Sequence, residues 1–114
     1  MIEIFHNPRC SKSRQALEIL RSKKIDFTVI EYLKKPLSRQ QMKNIFKILK
    51  IKPSQGVRKK EIEFKENNIS EYLDNDEQLL DFMVKYPKII ERPIVINGNK
   101  AVIARPPEKL LNIL

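Results

Sequence analysis

Only five residues, His6-Asn7-Pro8-Arg9-Cys10, separate an apolar run at 1–5 from an amphipathic stretch that begins at Ser11. The first run reads as a short strand, and Asn7-Pro8 breaks it. From Ser11 the apolar residues Ala16, Leu17, Ile19 and Leu20 recur at helical spacing, which predicts a helix to about Lys23. Residues 27–32 are rich in β-branched and aromatic side chains and predict a second strand. Strand, tight turn, helix and strand make a βαβ unit, whose two strands lie parallel. That unit confines the chain to the α/β class.

The remaining sequence extends this pattern. Residues 35–38 form a loop, and Ser38-Arg39-Gln40-Gln41 fits a capping box ahead of a helix marked by Met42, Ile45, Phe46 and Leu49. Residues 53–56 end that helix, and 61–73 read as short helical pieces. Asp76 is the expected cap of a helix that buries Leu79, Leu80, Phe82 and Met83 and stops at Pro87. Residues 93–96 predict a strand, Asn97-Gly98-Asn99 a hairpin turn, and 101–103 the returning strand. Pro106-Pro107 opens a last helix carrying Leu110, Leu111 and Leu114. The expected architecture is an open mixed sheet flanked by helices, in one domain spanning residues 1–114. Its helical middle is inserted between the two strand-bearing halves.

Composition narrows function by exclusion. Apolar residues make up 41% of the 114, enough for one modest core and too many for a disordered chain. With two glycines there is no glycine-rich phosphate loop. No run is long enough to span a membrane, and no signal peptide is visible, so the expected location is the cytoplasm. The formal charge is +9, but the lysines are spread along helix faces, so no nucleic-acid partner is expected. Such a field would steer a small anion inward.

One cysteine, Cys10, excludes an internal disulfide, and with one histidine it excludes a multi-ligand metal site of those types. Cys10 is a buried inert thiol, a reactive thiol, or a thiol that pairs with another molecule. Its place at a predicted helix N-terminus favours reactivity, because backbone N–H groups and nearby cations stabilise a thiolate. Ser11 and Ser13 offer hydroxyl donors, and Arg9, Lys12 and Arg14 offer charge. His6 is either a structural residue at a strand end or a group that helps stabilise the Cys10 thiolate. Without a second cysteine, any redox cycle must borrow a thiol from elsewhere.

Arg58, Arg92 and Arg105 stand apart from the surface lysines. Arg92 and Arg105 each precede a proline, which holds their backbone extended. Their forked guanidinium groups suit a tetrahedral oxyanion, and all three could equally be surface salt-bridge partners. Pro93 either starts an edge strand or is a cis proline opposite the Cys10 loop.

Taken together, His6-Asn7-Pro8-Arg9-Cys10 with Ser13, residues 78–83 (Gln-Leu-Leu-Asp-Phe-Met), Glu91-Arg92-Pro93-Ile94-Val95 and Arg105-Pro106 carry a specific likeness. Over essentially its whole length the chain resembles the glutaredoxin-coupled arsenate reductases, a branch of the thioredoxin-like fold. The resemblance implies that Cys10 attacks arsenate to form a covalent adduct. It implies that Arg58, Arg92 and Arg105 hold the oxyanion, that His6 and Ser13 tune the thiolate, and that Pro93 is the cis proline. Ser11, Lys12 and Arg14 complete the oxyanion loop. No bound cofactor is implied: glutathione is a co-substrate, and glutaredoxin a transient partner. Ser11-Lys12 departs from the small residues common in the family at that point.

Two other readings share the fold. Spx-like regulators bind RNA polymerase and commonly use a two-cysteine switch. This chain has Ser13 where the second cysteine would stand, and it keeps Arg105, which favours the enzyme. Its basic charge and Gly56 are the features it shares with the regulators. The third reading is a glutathione-linked thiol oxidoreductase acting on another substrate.

Overall fold

A computed structural model describes residues 2–114. Met1, the expected first residue of the opening strand, lies outside them. The chain forms two compact units, one made of the N-terminal segment to Lys35 with Arg92–Leu114, the other of Pro36–Glu91.

The first unit carries a four-stranded sheet in the order β2-β1-β3-β4. Strand β1 (Ile2–Phe5) pairs in parallel with β2 (Phe27–Ile30) and antiparallel with β3 (Ile94–Asn97), which pairs antiparallel with β4 (Lys100–Ile103). Helix α1 (Ser11–Ser22) makes the crossover between β1 and β2. Its apolar spacing puts Ala16, Leu17 and Leu20 into a core with Ile2, Ile4, Val95, Ala104, Leu110 and Ile113. The β2 strand is shorter than the apolar run that predicts it, ending at Ile30.

Further details of this unit differ from the sequence reading. The hairpin register pairs Asn97 with Lys100, so Gly98-Asn99 is the two-residue turn and Asn97 belongs to the strand. Gly98 adopts a φ of 63°, the left-handed backbone that glycine tolerates best. The C-terminal segment Pro107–Ile113 is a 3-10 helix rather than an α-helix. At three residues per turn, Pro107, Leu110 and Ile113 line up on one buried face. Leu111 and Leu114 are exposed.

The second unit is helical. It holds α2 (Arg39–Leu49), α3 (Ile62–Glu66) and α4 (Asp76–Lys85), with short 3-10 turns at Pro53–Gly56, Ile69–Tyr72 and Pro87–Ile89. The capping box is formed at the start of α2: Ser38 Oγ accepts the Gln41 N–H, and Gln41 Oε1 accepts the Ser38 N–H. The cap of α4 is Asn75 rather than Asp76, its Oδ1 accepting the Gln78 N–H at 3.1 Å. Phe82 is half-buried, while Leu79, Leu80 and Met83 are fully inside.

Gly56 is required for a packing reason. A Cβ built there would penetrate the ring of Phe46, itself a core residue of α2. Gly56→Ala is therefore expected to destabilise the protein by about 1–3 kcal/mol, the usual cost of overpacking. A urea unfolding curve checks this, and an unchanged midpoint would mean that Phe46 yields freely.

Candidate functional site around Cys10

The turn between β1 and α1 is held by its own hydrogen bonds. Asn7 is 6% exposed and bonds in three directions. Its carbonyl accepts the Cys10 N–H at 3.0 Å, its Oδ1 accepts the Arg9 N–H at 3.0 Å, and its own N–H donates to Ser13 Oγ at 3.1 Å. An Asn side chain that accepts a backbone N–H two residues on is a common turn device. The outer side of the turn is clamped by Arg14, whose Nη1 donates to the Pro8 carbonyl at 2.9 Å.

Cys10 is the N-cap residue of α1, with extended backbone (φ −94°, ψ 122°) and a partly exposed thiol. Burial pushes the thiol pKa up, but the opposing influences win and the net shift is downward. In order of strength these are the Ser13 backbone N–H, the Arg92 guanidinium by hydrogen bonding and by charge, and the Lys12 backbone N–H. Helix-terminal donors and a cation thus act together on one sulfur.

Two predicted arginines converge on it. Arg105 Nη1 lies 3.9 Å from Cys10 Sγ and donates to the Arg92 carbonyl at 3.0 Å. Arg92 also acts on this sulfur, by hydrogen bonding and by charge. Both precede cis peptide bonds, Arg92–Pro93 and Arg105–Pro106. The Ala104 N–H donates to the Pro93 carbonyl at 2.8 Å, tying the two arginine-bearing segments together.

His6 and Ser13 occupy a different layer. Both are buried, at 5% and 0% exposure, and His6 Nδ1 lies 2.6 Å from Ser13 Oγ. Ser13 Oγ also accepts the Asn7 N–H, so this hydroxyl is engaged beneath the turn and not with the thiolate. The expectation of a Ser13 hydroxyl donor at the sulfur is corrected accordingly: the backbone N–H of Ser13 is the group that acts there. Burial is the main reason that the His6 pKa is lowered; Glu31 opposes the shift, and Arg21 and Arg14 add to it.

The other predicted residues divide as follows. Lys12 contributes its amide, Ser11 is exposed in the first turn, and Arg14 spends one guanidinium nitrogen on the loop carbonyl. Arg58 lies in the second unit, where its Nε donates to Glu61 at 3.1 Å and its Nη1 to Glu91 at 2.9 Å. Burial would lower the Arg58 pKa, but the two carboxylates outweigh it and raise it. In the sequence Asn7 reads only as a strand breaker and part of the motif, with no role at the sulfur. Its signal was there in the Asn-Pro pair at a strand end.

No group of three or more metal-ligating side chains occurs among the described residues. No helix among them is long and apolar enough to cross a membrane.

The sequence matches the ArsC family over residues 5–113. It is 40% identical over 114 residues to the uncharacterized protein YfgD of Escherichia coli (strain K12), covering 99% of this chain and 96% of that one. It is 41% identical over 115 residues to an arsenate reductase of Neisseria meningitidis serogroup B, covering 99% and 97%. Among solved structures it is similar to the arsenate reductase from Vibrio cholerae, with a TM-score of 0.95, 38% identity, and 99% and 97% of the two chains covered.

Proposed function

From the premise that the chain belongs to the ArsC family, we propose that it reduces arsenate to arsenite with Cys10 as the nucleophile. One observation carries this reading: a partly exposed, acidified sulfur at a helix N-cap, with two guanidinium groups converging on it. A thiolate without cations would serve many chemistries. A thiolate between two forked cations suits attack on a small tetrahedral oxyanion.

The proposed steps balance as follows. The Cys10 thiolate attacks arsenic, an S–As bond forms, and one arsenate oxygen leaves as water after taking up protons. The arsenic is still pentavalent. Glutathione then replaces a second oxygen, again releasing water. A glutaredoxin thiolate attacks the glutathione sulfur. The S–As bonding pair stays on arsenic, which becomes trivalent, and glutaredoxin leaves as a mixed disulfide with glutathione. Water finally cleaves the Cys10–As bond and releases arsenite with the free thiol. The second thiol must come from outside, because the chain has one cysteine.

Arg92 and Arg105 take the roles of oxyanion binding and charge stabilisation. His6 and Ser13 act on the thiolate through the turn that they support. Arg58 is assigned the same oxyanion role on the family resemblance. Its guanidinium is already engaged by Glu61 and Glu91, so an oxyanion would compete with two carboxylates there.

The test is arsenate-dependent NADPH oxidation with purified protein, glutathione, glutaredoxin and glutathione reductase. Turnover that disappears when either glutathione or glutaredoxin is left out is the expected result. No arsenate-dependent oxidation with any thiol donor, together with capture of RNA polymerase, would replace this reading with the regulator. Oxidation sustained by another oxyanion but not by arsenate would replace the substrate and leave the thiol chemistry standing.

A further inference from the structure

We propose that Asn7 is the positioning residue of the Cys10 site: it ties the amides of Arg9 and Cys10 back into the turn, so that the sulfur faces the first-turn N–H groups of α1 and the Arg92 and Arg105 forks. The inference concerns the state of the thiolate in the substrate-free protein, so it does not depend on arsenate being the substrate.

The geometry supports this in three ways. Asn7 bonds both to the far side of the turn and to the helix: Arg9 N–H, Cys10 N–H and Ser13 Oγ all meet it at 3.0–3.1 Å. Two of these bonds use its main chain, which any residue but proline could supply. The third uses Oδ1, and that is the bond a substitution removes. Without it, the Arg9 N–H must find another partner and the Pro8–Arg9 peptide loses its tether, leaving the Cys10 N–H bond to the residue 7 carbonyl to hold the turn. Movement of that peptide passes through Arg9 to the backbone of Cys10, the N-cap residue, and so redirects its side chain. A change of that kind separates the sulfur from the amides of Lys12 and Ser13, which favour its charged form.

The neighbouring charges leave Asn7 this role. Arg14 clamps the opposite, solvent-facing side of the turn through Pro8, and His6 and Ser13 support it from below. None of these reaches the Arg9 amide.

The test is the pH profile of Cys10 alkylation by iodoacetamide in the full chain, without arsenate. Asn7→Ala is expected to slow alkylation at pH 6.5 by roughly three- to tenfold and move the profile to higher pH, consistent with loss of helix N-terminal stabilisation. Asn7→Ser, whose hydroxyl can accept the same N–H, is expected to recover at least half of that shift. The proposal is overturned if Asn7→Ala leaves the profile unmoved, or if Asn7→Ser shifts it as far as alanine does. Amide hydrogen exchange in the unmodified protein gives an independent reading should the alanine variant fail to fold. Protected Arg9 and Cys10 amides support the proposal, and a freely exchanging Arg9 amide sinks it. Failure here with intact arsenate turnover would leave the proposed reaction untouched. Loss of turnover in the unmodified protein would leave the alkylation result untouched.

Discussion

Cys10→Ser is expected to lower arsenate reduction by about a thousandfold or more, to the level of the reaction without protein. Serine keeps the shape of the N-cap and can itself cap α1, so the fold has no reason to suffer. What it loses is the anion. At neutral pH a hydroxyl is not ionised, and neither the first-turn amides nor Arg92 can make it so. The same variant exposes a linkage to stability. In the folded chain the Cys10 pKa lies below its ordinary value, whereas in the unfolded chain it does not. Between those two values the unfolded chain binds more protons. Native stability therefore rises with pH across that window, is fully present above the unfolded value, and is lost as pH falls through the folded one. Unfolding curves of the unmodified protein and Cys10→Ser should diverge toward higher pH accordingly. His6 contributes in a lower range. Its folded pKa is depressed by burial, so stability falls as pH drops from about 6.5 through the folded value. That effect is common to both proteins and cancels in the difference. Parallel pH profiles would mean that the thiol is not acidified in the folded state, and turnover retained by Cys10→Ser would remove the nucleophile.

How far the sequence could be read depended on the range of the interaction involved. The βαβ start was legible because strand and helix periods are written within a dozen residues, and β1 and β2 are indeed parallel. The Ser38–Gln41 capping box was legible for the same reason. The α4 cap was missed by one position because Asn75 and Asp76 are both good caps, and only the side-chain bond to Gln78 decides between them. The C-terminal helix was misread because Leu110, Leu111 and Leu114 satisfy a 3.6-residue period while the backbone follows a period of three. At the site, the types were legible and the partners were not. Arg92 and Arg105 announced themselves by preceding prolines, but nothing local reveals that they face one sulfur 82 and 95 positions away. The Ser13 hydroxyl could have faced the thiol or His6. Burial of His6 against α1 is a tertiary fact, and it decides for His6.

Arg92→Lys is expected to cut turnover at least tenfold, and as much as a hundredfold, although the formal charge is unchanged. Arg92 acts on the thiolate both by direct hydrogen bonding and by charge. A lysine ammonium can supply the second and one point of the first. It cannot offer two parallel donors to the oxygens of a tetrahedral anion while staying beside the sulfur. The carbonyl of residue 92 survives the change, so the donor from Arg105 Nη1 keeps its anchor. The loss should therefore appear at the substituted side chain and not through displacement of Arg105. Kinetics separate the two contributions. If Arg92 mainly binds the oxyanion before reaction, KM for arsenate rises and kcat is preserved. If it mainly holds charge as the S–As bond forms, kcat falls and KM moves little. Because two forks converge on one sulfur, the double variant with Arg105→Lys should be less than multiplicative, since each arginine holds part of the same anion. Strictly multiplicative losses would mean that the two guanidinium groups act at separate places, and unchanged turnover in Arg92→Lys would reduce Arg92 to a charge any cation could supply.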